Sequence, residues 1–128
     1  IKEIFMSDSK ILVIDDDPDI LESISAILSS EGFSVVTAMD GKEGIDKFKS
    51  VKPDLVLCDM MMERVDAGTK VAELIRKEDS KTPVYLLSSI GNATASNVNI
   101  NSLGFNGVLQ KPVDPDLLIS QVKKALSR

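Results

Sequence analysis

Asp15 and Asp16 follow the aliphatic run Ile11-Leu12-Val13-Ile14 with no spacer, and Asp59 closes a second run, Leu55-Val56-Leu57-Cys58. Carboxylates at the ends of what read as buried strands are costly to gather: two of them ~4 Å apart repel by about 4 kcal/mol at an effective dielectric near ~20. Such a set needs a cation. The chain has no His and a single Cys, so the ligands on offer are oxygens, which select a hard ion. Few carboxylates with room for water suit Mg²⁺ better than a Ca²⁺ cage. With part of the charge neutralised, one carboxylate is left as a nucleophile toward phosphorus. Charge on the equatorial oxygens of a phosphoryl group in transit then calls for an ammonium and a hydroxyl. Lys111 and Ser88 are the candidates. Taken singly, Lys111 reads as a surface charge, Ser88 as a satisfied core hydroxyl and "DDDPD" as an acidic helix cap. That bland reading is kept for Asp17 and Asp19; convergence lifts the others.

The elements that must position these residues alternate between short aliphatic runs and segments of helical period, the pattern of repeated βα units around a parallel sheet. Five strands are expected at 10–15, 33–38, 54–59, 84–89 and 107–110. Their continuous apolar character points to a sheet covered on both faces. In such a sheet, sites form outside the carboxyl ends of the strands, and Asp15, Asp16, Asp59, Ser88 and Lys111 all fall on that edge. Ile20, Leu21, Ile24, Ile27 and Leu28 make one buried helical stripe, with Asp17 as its cap, Pro18 at its first position and Gly32 past its end. Asp40 and Glu43 form a capping pair for a second helix that turns Ile45 and Phe48 inward. Val71, Leu74 and Ile75 mark a third helix, and Leu118, Val122, Ala125 and Leu126 the last. Between them, 91–104 contains four Asn among Ser, Thr and Gly, poor helix formers that bond to their own backbone; a short or switchable helix is expected there.

A chain of 128 residues accommodates one domain. Net charge of −5 and a pI near 4.7 argue against a nucleic-acid surface, which needs clustered Lys and Arg. The lone Cys58 cannot form an internal disulfide, and no long apolar run reads as a signal peptide or membrane span, so a cytoplasmic location is expected. "IKEIF" (1–5) precedes Met6 and reads as a non-native leader, leaving 6–128 as the domain.

"ILVIDDDP", "PDLVLCDMMM", "TPVYLLSS" and "LQKP" occur in the order and at about the spacing seen in the response-regulator receiver domains of two-component signalling. The chain resembles that family from Lys10 to Leu126. The resemblance implies a flavodoxin-like doubly wound α/β fold, strand order 2-1-3-4-5 with five helices. It implies Asp59 as phosphoacceptor, with Asp16, Asp59 and the backbone carbonyl of Met61 as direct Mg²⁺ ligands and Asp15 acting through water. Ser88 matches the switch hydroxyl, Lys111 the family's lysine, and the Lys111–Pro112 bond is expected to be cis. The implied partner is a histidine kinase or histidine phosphotransfer protein. A homodimer is compatible with the sequence, and direct nucleic-acid or membrane binding is not expected. The domain would be no enzyme in the ordinary sense, while catalysing its own phosphorylation and slow dephosphorylation.

The chain departs from the family pattern in three places. "ERVDAG" (63–68) replaces the usual "P-x-x-D-G", with Glu63 for Pro and one extra residue before Gly68. Val108 stands where an aromatic is frequent, so a switch here must use backbone or helix movement instead of ring rotation. The stretch from Ser88 to Lys111 is about one residue longer than typical. An aspartyl-nucleophile phosphatase remains an alternative, although its usual second acid would fall at Met61. A receiver-like module that is never phosphorylated also remains open, as does a flavin carrier, which "DDDPD" and the scarcity of aromatics disfavour. Cys58 reads as core packing, Met60, Met61 and Met62 as loop and core filler, and Tyr85 as a core residue.

Overall fold

The computed structural model describes residues 9–59, 67–79, 81–89, 106–111 and 113–126, with backbone alone at 67–72, 88 and 89. Five strands form one parallel sheet: β1 (Lys10–Ile14), β2 (Ser34–Ala38), β3 (Leu55–Asp59), β4 (Val84–Ser89) and β5 (Gly107–Lys111), in the order β2-β1-β3-β4-β5. Each lies within a residue of its expected bounds, and the order is the one the family resemblance implies. Parallel neighbours cannot be joined by hairpins. The described crossovers use helices α1 (Pro18–Ser30), α2 (Gly41–Val51) and α3 (Ala67–Glu78), and α4 (Pro115–Leu126) follows β5. The helix expected over 91–104, the leader at 1–5 and the Lys111–Pro112 bond lie outside the described residues.

Strand alternation divides the core in two. Leu12, Ile14, Val56, Cys58 and Leu86 pack on one face with Phe48 of α2 and Ile75 of α3. On the other, Ile11, Val13, Leu55, Leu57 and Leu87 pack with Leu21, Ile24 and Leu28 of α1 and Leu118, Val122 and Ala125 of α4. Burying each large aliphatic side chain stabilises the fold by about 1.5–3 kcal/mol, and this two-sided burial is why β1 and β3 have no alternating polar face. Cys58 is fully buried, as its strand position predicts. Tyr85 is half-buried against the α1/α4 core.

Local chemistry sets the helix ends. Asp17 caps α1 by accepting from the Asp19 amide at 2.9 Å, with Pro18 at the first turn. At its other end the Gly32 amide donates to Ser29 O and the Phe33 amide to Leu28 O. This paired closure requires Gly32 at φ 92, a left-handed conformation that favours glycine. In α2, Asp40 accepts from the Glu43 amide at 2.7 Å, while Glu43 reaches back to the Met39 amide at 2.9 Å, one residue beyond the usual reciprocal partner. The helix marked by Val71, Leu74 and Ile75 is α3; within it Leu74 is exposed, whereas Ile75 is fully buried. The inward stripe of α3 is centred on Ile75, and Leu74, about 100° around the helix, lies on its exposed side. Val71's side chain lies outside the description.

Candidate acidic metal centre

The residue after β1, the last residue of β3 and the last residue of β5 meet at the carboxyl edge of the sheet. Asp15, Asp16 and Asp59 each offer a carboxylate oxygen, and these atoms lie within 4.8 Å of one another. Asp15 is fully buried and Asp59 is 5% exposed, while Asp16 faces solvent. Backbone pairing fixes the first of these: the Asp15 amide donates to Ala38 O at 3.0 Å. Its Oδ1 accepts from the Asp17 amide at 3.0 Å. The residue that caps α1 therefore also orients Asp15, a second role that reading Asp17 as a cap alone misses.

Lys111 reaches into this cluster from the edge strand. Its Nζ lies 2.6 Å from Asp15 Oδ2 and 3.3 Å from Asp59 Oδ2. The shorter contact pairs Asp15 Oδ2 with the ammonium, and this buried oxygen has no other donor. Burial pushes the Asp15 carboxyl above its ordinary value, and Asp59 acts in the same direction; the Lys111 ammonium and the Asp17 amide oppose the shift. For Lys111, burial alone would lower the ammonium, yet Asp15 and Asp59 together carry it above its ordinary value. Next door, burial drives the Cys58 thiol far up, and the charges of Asp59 and Asp15 add to the effect, so the thiol stays protonated and inert.

An all-oxygen donor set holding an undersatisfied buried carboxylate oxygen suits a hard divalent cation. The residues present fit one. Of the remaining expected site residues, Ser88 sits on β4 in register with Gln110, the neighbour of Lys111; its side chain, like Met61 as a whole, lies outside the described residues. Val108 is 37% exposed on β5, with no aromatic ring to rotate at that position.

Fold and site together define a doubly wound α/β domain with a cluster of three carboxylates at its ligand edge that could hold a cation. The chain belongs to the response regulator receiver domain family, whose model matches residues 11–123. Among curated relatives, the transcriptional regulatory protein GlrR of Escherichia coli is 37% identical over 118 residues, covering 92% of this chain and 26% of GlrR. The alkaline phosphatase synthesis transcriptional regulatory protein PhoP of Bacillus subtilis is 31% identical over 119 residues, covering 93% of this chain and 49% of PhoP. The chain thus spans about half or less of these relatives. Among solved structures, a response regulator receiver domain protein from Clostridium thermocellum superposes with a TM-score of 0.84 at 30% identity, covering 94% of this chain and 95% of that one. The chemotaxis response regulator CheY4 of Vibrio cholerae gives 0.82 at 27% identity, covering 92% and 98%. Among the described residues, no helix is long and apolar enough to cross a membrane.

Proposed function

We propose that Asp59 is the phosphoacceptor of this receiver domain, taking a phosphoryl group from the phosphohistidine of a partner kinase or phosphotransfer protein. The observation that carries this reading is the placement of Asp59: nearly buried, grouped with Asp15 and Asp16, and 3.3 Å from the Lys111 ammonium. A carboxylate oxygen of Asp59 attacks phosphorus, the O–P bond of an acyl phosphate forms, and the P–N bond to the donor imidazole breaks, its electron pair returning to nitrogen. Asp15, Asp16 and Asp59, with the Met61 carbonyl, would hold Mg²⁺. That ion supplies positive charge against the carboxylates and the phosphoryl oxygens. Lys111 balances the charge that builds on the transferred group, and Ser88 donates a hydrogen bond to it.

An aspartyl phosphatase commonly places a second acid two positions after the nucleophile to protonate a leaving group. Met61 stands there, so hydrolysis of the acyl phosphate is a slow self-reaction with water and not turnover of phosphomonoesters. Incubation with Mg²⁺ and a small phosphodonor should add one phosphate by intact mass. Asp59→Asn should abolish the gain, and labelling that persists in that variant would reject the assignment.

A further inference from the structure

Asn106, the described residue just before β5, takes both backbone polar groups of Val84 at the start of β4. Its amide donates to Val84 O at 2.7 Å, and its Oδ1 accepts from the Val84 amide at 2.9 Å. The side chain therefore continues the β4–β5 ladder one step beyond the strand. The same Oδ1 accepts from Arg76 Nη2 at 2.5 Å. Arg76, in the last turn of α3, also donates through Nη1 to Thr82 O at 2.5 Å, so one guanidinium ties the end of α3 to the chain entering β4 and to the chain entering β5.

Gly107 adds a steric half to this arrangement. It is in register with Tyr85, and a Cβ at that position would lie 2.7 Å from Tyr85 Cε2 and 3.1 Å from Cδ2. Sliding β5 by one residue in either direction puts Asn106 or Val108 opposite Tyr85, where any side chain meets the ring. Such a slide also moves Lys111 by about 3.3 Å and turns it to the other face of the sheet. β5 is the outermost strand, held by β4 alone, and Lys111 is its last residue. Register pinned at the first residues of β5 is thus what delivers the ammonium to Asp15 and Asp59 at its far end.

We propose that Asn106, braced by Arg76 and backed by Gly107, is a positioning residue for phosphoryl transfer: it sets the register and tension of β5 and thereby the place of Lys111 over Asp59. The inference rests on the phosphoacceptor reading. Displacing a reacting or stabilising group by ~1 Å can cost on the order of 100-fold in rate, so a loosened β5 should be felt in chemistry before it is felt in folding.

The test is the rate of phosphorylation of the whole chain by a small phosphodonor with Mg²⁺, measured below any unfolding transition. Asn106→Ala should slow labelling by about tenfold or more. Asn106→Asp, which keeps an acceptor for both the Val84 amide and Arg76, should restore most of it. In a Lys111→Ala background, Asn106→Ala should slow the reaction no further, because the group it positions is gone. A merely structural role predicts equal losses in both backgrounds; that result overturns the proposal, as does a failure of Asp to rescue or wild-type labelling in Asn106→Ala. Should Asn106→Ala fail to fold, Arg76→Lys, which cannot bridge Thr82 and Asn106 with one planar group, is measured in the same two backgrounds and read in the same way. If wild-type protein takes no phosphate, the phosphoacceptor reading itself has failed; wild-type labelling with an insensitive Asn106 fails only the positioning claim.

Discussion

Lys111 Nζ, at the end of the outermost strand, lies 2.6 Å from Asp15 Oδ2, which belongs to the other side of two intervening strands, β4 and β3. The Lys111 side chain thus reaches across β4 and β3 and serves as internal counter-charge for buried carboxylates. Lys111→Met should therefore lower the stability of the metal-free protein at neutral pH by about 3 kcal/mol, the usual order for a buried charge left without its partner. Urea unfolding with and without millimolar Mg²⁺ checks this, since added cation should recover most of the loss. The ammonium is raised above its ordinary value of 10.5, so the stability it contributes is complete below that pH and disappears as pH climbs through the folded value. Wild-type protein should lose stability more steeply than Lys111→Met above 10.5.

Asp15 has the opposite sign of linkage from an ordinary ion-paired acid. Its carboxyl is raised, first by burial, so the ionised form costs stability at neutral pH and the cost fades as pH falls toward the unfolded value of 3.8. Asp15→Asn keeps an oxygen for the Asp17 amide and removes the charge. Its metal-free melting temperature should exceed wild type by a few degrees at pH 7, with the gap closing in acid. The same variant should show a much smaller thermal shift on adding Mg²⁺; an unchanged shift would remove Asp15 from the cation site.

At the opposite edge of the sheet, Asp79 clasps the turn into β4, accepting from the Lys81 amide at 2.8 Å and the Thr82 hydroxyl at 2.8 Å. The Lys81 amide first, then the Thr82 hydroxyl, hold its carboxyl below the ordinary range. The stabilisation is present above the unfolded value of 3.8 and lost as pH falls through the lower folded value. Asp79→Asn should flatten the acid limb of a stability-against-pH curve below about that point and leave its neutral-to-alkaline limb unchanged in slope.

Gly44 of α2 sits against Ile14, where a Cβ would come 2.5 Å from Cδ1 and 3.0 Å from Cγ1. Gly44→Ala should destabilise the domain by about 1–3 kcal/mol through overpacking, read as a lower denaturation midpoint with unchanged denaturant slope. Ile14 precedes Asp15, so the variant should also weaken the Mg²⁺-dependent thermal shift.

Much of this molecule is legible in short windows. Aliphatic runs bounded by turn residues mark all five strands, because strands buried on both faces need no polar alternation. Asp17, Pro18 and Gly32 announce the ends of α1 because caps are local chemistry. The acids and the lysine at strand ends are found by combining those windows with one rule about parallel sheets. Where local pattern allows two solutions it leaves them open: Leu74 and Ile75 are both apolar, and the packing of α3 decides that Ile75 turns inward.

What the amino-acid order determined by itself is the set of elements and the chemical kinds of side chain at their ends, since both follow from neighbours a few residues apart. The tertiary structure alone decided which Asp is buried, that Lys111 joins Asp15 to Asp59, and that Asn106 with Arg76 pins the edge strand. The last of these links residues 30 positions apart. By local rules an Asn-Gly pair before a strand reads as a turn. Its partners are set by how the sheet and helices pack, and that packing depends on the entire core at once.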